Sequence, residues 1–177
     1  MSELSPYATL LAIAERSQSV AVELPAKENA RTHWNGLGFS LLGHRFVVPM
    51  SEVAEIMLVP HATRLPGVKH FVLGVANVRG KLMALLDLPA YFGATKLAAM
   101  DRRRVLAIES EEQYFGFIVD ESLGMQHFPQ DAYKTSIEVE EMFQPFVKGG
   151  YEVAGTPWPV LSLVALAADA NFEKLGQ

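Results

Sequence analysis

The residues most suited to chemistry in this chain are its five histidines, His33, His44, His61, His70 and His127, because it contains no cysteine. No two of them sit at i, i+2 or i, i+4, the spacings that place two imidazoles on one face of a strand or helix. They therefore read as surface and loop residues rather than metal ligands. The acid pairs Asp120-Glu121 and Glu140-Glu141 are sequence neighbours, which on a strand point to opposite faces, whereas acid–base catalysis needs two carboxylates converging on one cleft. Solvated turns are the simpler reading. Ser51, Ser110, Ser122 and Ser162 lie in no G-x-S-x-G elbow and near no suggestive histidine. No phosphate-binding loop is present, and Gly36-Leu37-Gly38-Phe39 opens a strand rather than a helix. Absence of cysteine excludes disulfides, thiolate metal sites and cysteine nucleophiles. The run Arg102-Arg103-Arg104 beside Asp101 reads as a solvated link. The expectation is a protein with no catalytic site, cofactor or metal.

One segment carries more information. It contains Val53-Ala54-Glu55-Ile56, a loop with Thr63-Arg64-Leu65-Pro66-Gly67, then Gly74-Val75-Ala76-Asn77-Val78-Arg79-Gly80, and Leu85-Leu86-Asp87-Leu88 before Phe92-Gly93. Gly74 within a strand leaves room for a bulge or a close backbone approach. Gly80 can take positive φ in a tight turn beside the Arg79 guanidinium. Glu55 at a strand start and Arg79 at a turn could pair across one small barrel, ordering the turn more than adding stability. Asp87 ends a strand and can cap a helical turn.

The elements that must position these residues are mostly short strands. Leu37 to Leu42 and Phe46 to Met50 alternate around a turn at Gly43-His44, as a hairpin does. Ile56–Val59, Phe71–Val78 and Leu82–Asp87 complete five strands, followed by a helical turn over Leu88–Phe92 that Gly93 stops. After the connector at 94–104, further strands are expected at Val105–Glu109, Tyr114–Val119, Met125–Phe128, Val147–Val153 and Val160–Leu163, with a short helix over Val164–Ala170. Residues 131–144 show no clean period. Gly74, Gly80, Leu86 and Leu88 recur as Gly149, Gly155, Leu161 and Leu163 at one offset of 75. This is either chance or two similar small barrels, each too small to stand comfortably alone. Residues 1–33 read as an extension, with Ser5–Ser17 expected as a helix started by Ser5 and Pro6.

Bulk properties agree with a soluble domain. The chain has 177 residues, is half apolar and one-fifth charged, and carries a net charge of −5, the wrong sign for a broad nucleic-acid surface. No apolar run is long enough to span a bilayer, and the N-terminus lacks a signal peptide's positive start, so a cytoplasmic protein without membrane insertion is expected.

The ordered motifs between residues 53 and 93 resemble the CheW-like family of chemosensory coupling proteins, with a match extending over about residues 36–170. The family signature is V-x-E-I, a Leu/Ile-Pro loop, G-V-x-N-L-R-G, an apolar strand, then D-L before F-G. It corresponds here to Val53-Glu55-Ile56, Leu65-Pro66, Gly74-Val75-Asn77-Val78-Arg79-Gly80, Leu82 to Leu86, Asp87-Leu88 and Phe92-Gly93. Val78 replaces the usual Leu, and Ala84 the usual Pro. The resemblance implies an all-β fold of two five-stranded SH3-like β-barrels packed together. The expected division is an extension (1–33) and a CheW-like domain (34–170), with a first barrel at 34–93, a second at 101–163, and a helix and tail at 164–177. It further implies a non-catalytic adaptor, monomeric alone and part of a larger array recruited to membrane receptors. Its partners would be the regulatory domain of a CheA-like histidine kinase and the cytoplasmic tip of a methyl-accepting receptor. Carried across, the partner-binding positions are Val53, Glu55, Ile56, Gly74, Val75, Asn77, Val78, Arg79 and Gly80. Whole-chain likeness favours the branch that controls type IV pilus twitching motility.

Two other functions remain open on the sequence. A small-barrel nucleic-acid-binding module would need exposed aromatics, for which Trp34, Tyr91, Tyr133 and Trp158 are the candidates. A hydrolase between the lobes would need convergent His and carboxylates.

Overall fold

In a computed structural model, the described residues are 33–110 and 113–173. The expected extension, apart from His33, lies outside them, as does the expected helix at Ser5–Ser17. The described chain is built of short strands: β1 (His33–Leu41), β2 (His44–Pro49), β3 (Glu55–Leu58), β4 (Val72–Val78), β5 (Lys81–Asp87), β6 (Arg104–Ser110), β7 (Gln113–Val119), β8 (Glu121–Pro129), β9 (Tyr133–Lys134), β10 (Val147–Val153) and β11 (Thr156–Leu161). Three short helices punctuate them, α1 (Leu88–Tyr91), α2 (Leu163–Ala167) and α3 (Ala170–Glu173).

The strands form two sheets, in the orders β8-β1-β2-β11-β10-β9 and β3-β6-β7-β5-β4. In each sheet the two edge strands follow one another in the chain, so the chain itself closes the curl into a small barrel. A 3-10 turn at Gln130–Ala132 joins β8 to β9, and a bridge from Thr63 to Val75 lays the segment after β3 onto β4. One sheet has six strands rather than five, because the polar 131–144 stretch contains the two-residue β9. Ala76, Met83, Leu85, Val105, Ala107 and Ile118 fill the five-stranded barrel, and Val47, Phe128, Tyr151, Trp158 and Val160 the other. The largest cluster lies between the sheets, where alternation turns Leu37, Phe39, Leu86, Leu106 and Phe117 outward from their own barrels.

The barrels do not follow the expected division at 34–93 and 101–163. Hairpin β1–β2 belongs with β8–β11, and hairpin β6–β7 with β3–β5. Counting strands says nothing of their partners. The joints are parallel, Val47 on β2 facing Val160 on β11 and Gly116 on β7 facing Leu85 on β5, and parallel strands require long connections.

The 75-residue repeat extends into the hydrogen bonds. Asp87 N donates to Phe71 O at 2.7 Å, and Ser162 N to Phe146 O at 2.9 Å. Asp87 caps α1 by accepting from Ala90 N at 3.1 Å, and Ser162 caps α2 by accepting from Ala165 N at 3.2 Å. Each member of these pairs is 75 residues from its counterpart. Both hairpins turn through two residues with positive φ, Arg79-Gly80 and Ala154-Gly155, the geometry that matches strand twist. Gly74 and Gly149 both sit at bulges where a Cβ would meet a backbone carbonyl, of Thr63 and of Lys134. The first hairpin turns at Leu42-Gly43, one residue earlier than expected.

Two local expectations change. The arginine run is no solvated link: Arg103 is 2% exposed and donates to Asp87 Oδ1 at 2.7 Å, which ties the connector to the cap of α1. Asp120 and Glu121 are also engaged, Asp120 accepting from Leu42 N at 2.7 Å and Glu121 pairing with Arg102. The C-terminal helix is two short ones, α2 and α3.

This packing sets three expected outcomes. Asp87→Ala strands the buried Arg103 charge and should cost about 3–5 kcal/mol in urea unfolding. Gly155→Ala, with open space around it, should cost only the left-handed penalty of about 1–2 kcal/mol. Gly74→Ala and Gly149→Ala should each cost more than Gly155→Ala, because a carbonyl blocks the new methyl.

Candidate functional site

The inward face of the five-stranded barrel changes character at one end. Glu55 on β3 lies opposite Ala107 on β6, and two residues further along that face is Glu109, itself opposite Tyr114 on β7. On β5, Lys81, Met83 and Leu85 alternate inward, with Met83 and Leu85 in the barrel core. Charged groups and one aromatic ring thus stand at the mouth of an apolar interior, beside the Arg79-Gly80 turn.

Two ion pairs close this mouth. Arg79 donates to Glu55 Oε1 at 2.6 Å, joining the turn that follows β4 to β3, so it spans the seam between the two edge strands. Lys81 Nζ donates to Glu109 Oε1, also at 2.6 Å, joining β5 to β6 across β7. Its Nζ lies 5.8 Å from the centroid of the Tyr114 ring beneath. The Arg79 side chain is 79% exposed and that of Glu55 only 23%, so the cation faces solvent over a half-sunk carboxylate. Pairs this exposed add little to stability, and their main effect is to fix geometry. The hydrogen bond and charge of Glu109 raise the Lys81 pKa. Burial, and then the Glu55 carboxylate, raise that of the Tyr114 phenol.

The residues singled out in the sequence divide between the barrel mouth and three places away from it. Glu55, Asn77, Val78, Arg79 and Gly80 meet at the mouth, where Asn77 Oδ1 accepts from Gly80 N at 2.9 Å and Val78 packs on the barrel core. Gly74 and Val75 lie about 13 Å back along β4, at four residues of strand rise, against the Thr63 segment. Val53 packs into the inter-sheet core, and Ile56 is 41% exposed on the outer face of β3. Lys81, Glu109 and Tyr114 were not singled out. Alternation along β5 and β6 turns Lys81 and Glu109 inward, but only the strand order shows that they meet.

The histidines lie apart from this mouth. Among the described residues no three or more of His, Asp and Glu converge on a metal position. His44 pairs with Glu140 at 2.9 Å, His127 with Asn35 at 2.6 Å, and His70 with the Ala90 carbonyl at 3.1 Å, in three separate places. The aromatics considered for base stacking are mostly internal. Trp34 stacks on Tyr151, Trp158 is buried, and Tyr91 packs between Phe71 and Phe172. Tyr133 is exposed, with its hydroxyl donating to the Lys148 carbonyl. No helix among the described residues is long and apolar enough to cross a membrane.

The raised Lys81 and Tyr114 values mean that the folded chain holds both protons more tightly than the unfolded chain. Their contribution is complete below the ordinary values of 10.5 and 10.0 and is lost as pH rises through the folded values. Glu109→Gln removes the main cause for Lys81. It should flatten the loss of stability as pH rises through and above the ordinary lysine value of 10.5, measured by urea unfolding. An unchanged slope would contradict this assignment.

Comparison with known proteins gives the family of the chain. Residues 35–171 match the model of the CheW-like domain. Protein PilI of Pseudomonas aeruginosa is 41% identical over 169 residues, covering 95% of this chain and 94% of that protein. Chemotaxis protein CheW of Helicobacter pylori is 30% identical over 84 residues, covering 48% of this chain and 51% of that one. The solved structure of the scaffolding protein TtCheW from Thermoanaerobacter tengcongensis superposes with a TM-score of 0.71 at 23% identity, covering 82% of this chain and all of that one, and so shares its fold. The signature strand and turn that meet at the barrel mouth, the paired small barrels and these matches agree: the chain belongs to the CheW-like domain family.

Proposed function

We propose that this protein is a non-catalytic adaptor that couples the cytoplasmic tip of a methyl-accepting receptor to the regulatory domain of a CheA-like histidine kinase, in the control of type IV pilus twitching motility. The observation that carries the reading is the Glu55–Arg79 pair. It joins two separated parts of the family signature into one preformed, solvent-facing feature on a rigid barrel. A coupling surface gains from such fixed charges, because they orient a partner without a further ordering cost at binding. The pilus assignment is supported by 41% identity to PilI over nearly the whole of both chains.

In this reading the nine signature positions divide their work. Arg79 and Glu55 touch the partner, Asn77, Val78 and Gly80 hold the turn, and Gly74 and Val75 fix the course of β4. Val53 and Ile56 flank the site on the side of the inter-sheet core. The adaptor reaches receptor arrays at the membrane through the receptor tip rather than by inserting itself.

Arg79→Ala and Glu55→Ala should each leave a folded protein, with a melting temperature near wild type. Each should weaken co-assembly with receptor tip and kinase regulatory domain by about tenfold or more, read by co-sedimentation of the ternary complex. The pair exchange Glu55→Arg with Arg79→Glu tests whether sign as well as pairing matters. Normal co-assembly in both folded alanine variants would remove these residues from the site. A wild-type protein that binds neither partner at micromolar concentration would remove the adaptor reading.

A further inference from the structure

Lys81, Glu109 and Tyr114 stand at the barrel mouth with Glu55 and Arg79: Lys81 closes the Arg79-Gly80 turn opposite Val78, while Glu109 and Tyr114 come from strands beyond the signature segment. Their place becomes clear from the strand pairing. On one side, β5 pairs with β4 right up to the turn, the last pair being Val78 with Lys81. On its other side, pairing with β7 begins only at Ala84 facing Phe115. The first residues of β5 thus project past the parallel ladder, and Leu82, pointing away from the mouth, is 71% exposed. Two side-chain links reach from this projecting hairpin tip to the barrel wall, Arg79 to Glu55 on β3 and Lys81 to Glu109 on β6.

The links share one polarity. Both cations sit on the hairpin tip and both carboxylates on the wall. The Tyr114 ring lies under Lys81 and directly opposite Glu109, so it keeps the second link from collapsing into the barrel. The Tyr114 phenol feels Glu55, Lys81, Arg79 and Glu109 together, in keeping with four charges gathered around one ring. Both links hold the same hairpin tip, so removing the Lys81 link frees the tip that carries Arg79.

We infer that Lys81, Glu109 and Tyr114 are positioning residues for the docking surface: the Lys81–Glu109 link, drawn across the Tyr114 ring, fixes the hairpin tip so that Arg79 is presented over Glu55. The inference rests on the adaptor reading for its consequence in binding, though not for its structural claim.

The structural claim is tested on the full chain without any partner. The Arg79 Nε–H resonance, assigned by its loss in Arg79→Lys, should shift in Lys81→Ala and in Glu109→Gln. It should return toward its wild-type position in the exchange Lys81→Glu with Glu109→Lys. Tyr114→Phe should leave it in place, because the ring and not the hydroxyl supports the link. Binding to the kinase regulatory domain and to the receptor tip should weaken about fivefold in each single variant of the Lys81–Glu109 pair and recover to within about twofold in the exchange. Thermal unfolding should stay near wild type throughout. An Arg79 resonance unmoved by Lys81→Ala overturns the inference. So does wild-type binding by Lys81→Ala in an assay where Arg79→Ala is defective, and that result leaves the adaptor reading standing. A shifted resonance with no binding by wild type supports the positioning role while sinking the adaptor reading.

Discussion

The structure depends on two parallel strand joints, β2 on β11 and β5 on β7. Each completes a barrel with a hairpin supplied by the other half of the chain. Remove the β2–β11 joint and two open three-stranded pieces remain; remove the β5–β7 joint and an open hairpin and an open three-stranded piece remain, none of which encloses a core. The outward faces of both sheets then meet in the largest apolar cluster, so closure of one barrel and docking of the other bury the same side chains. Two barrels that would be marginal singly thereby become one cooperative body.

Against that rigid frame the barrel mouth is a place where strength is traded for definition. Apolar side chains could have sealed it, as they do the interior. Instead it carries two ion pairs that add little stability and keep charges at fixed positions in water. The contrast with Asp87 and Arg103 is instructive. That pair is buried, holds the connector against the α1 cap, and is expensive to break. Similar chemistry thus serves shape in one place and display in the other, and burial decides which.

Much of this was visible in the residues. Period-two alternation marked most strands, Asp87 and Gly93 marked the limits of α1, and the repeat of Gly74 and Gly80 at Gly149 and Gly155 announced two related units. The pairing of Glu55 with Arg79 also followed from a strand-end acid and a turn cation. What stayed hidden was which strands pair with which, since alternation is a local property and the hairpin exchange is not. Burial of Arg103 was hidden for the same reason: three adjacent arginines look solvated until one is seen to be opposite Asp87. Lys81, Glu109 and Tyr114 escaped notice because each is ordinary by itself and meaningful only once β5, β7 and β6 lie side by side. Tyr133 and Lys134 form a strand too short to leave a pattern.

The exchange of hairpins also sets an order of events in time. The barrel holding the Glu55–Arg79 pair can close once residue 119 has left the ribosome, since β3 to β7 are then all present. Hairpin β1–β2 is made before any of these strands and must wait until residue 161 for β11, its parallel partner. Non-local pairing of this kind is slow, and a waiting hairpin exposes both its apolar residues and its strand edges. Phe39, Phe46 and Val48, buried in the finished protein, are therefore the surfaces most in need of protection while the chain is still being synthesised.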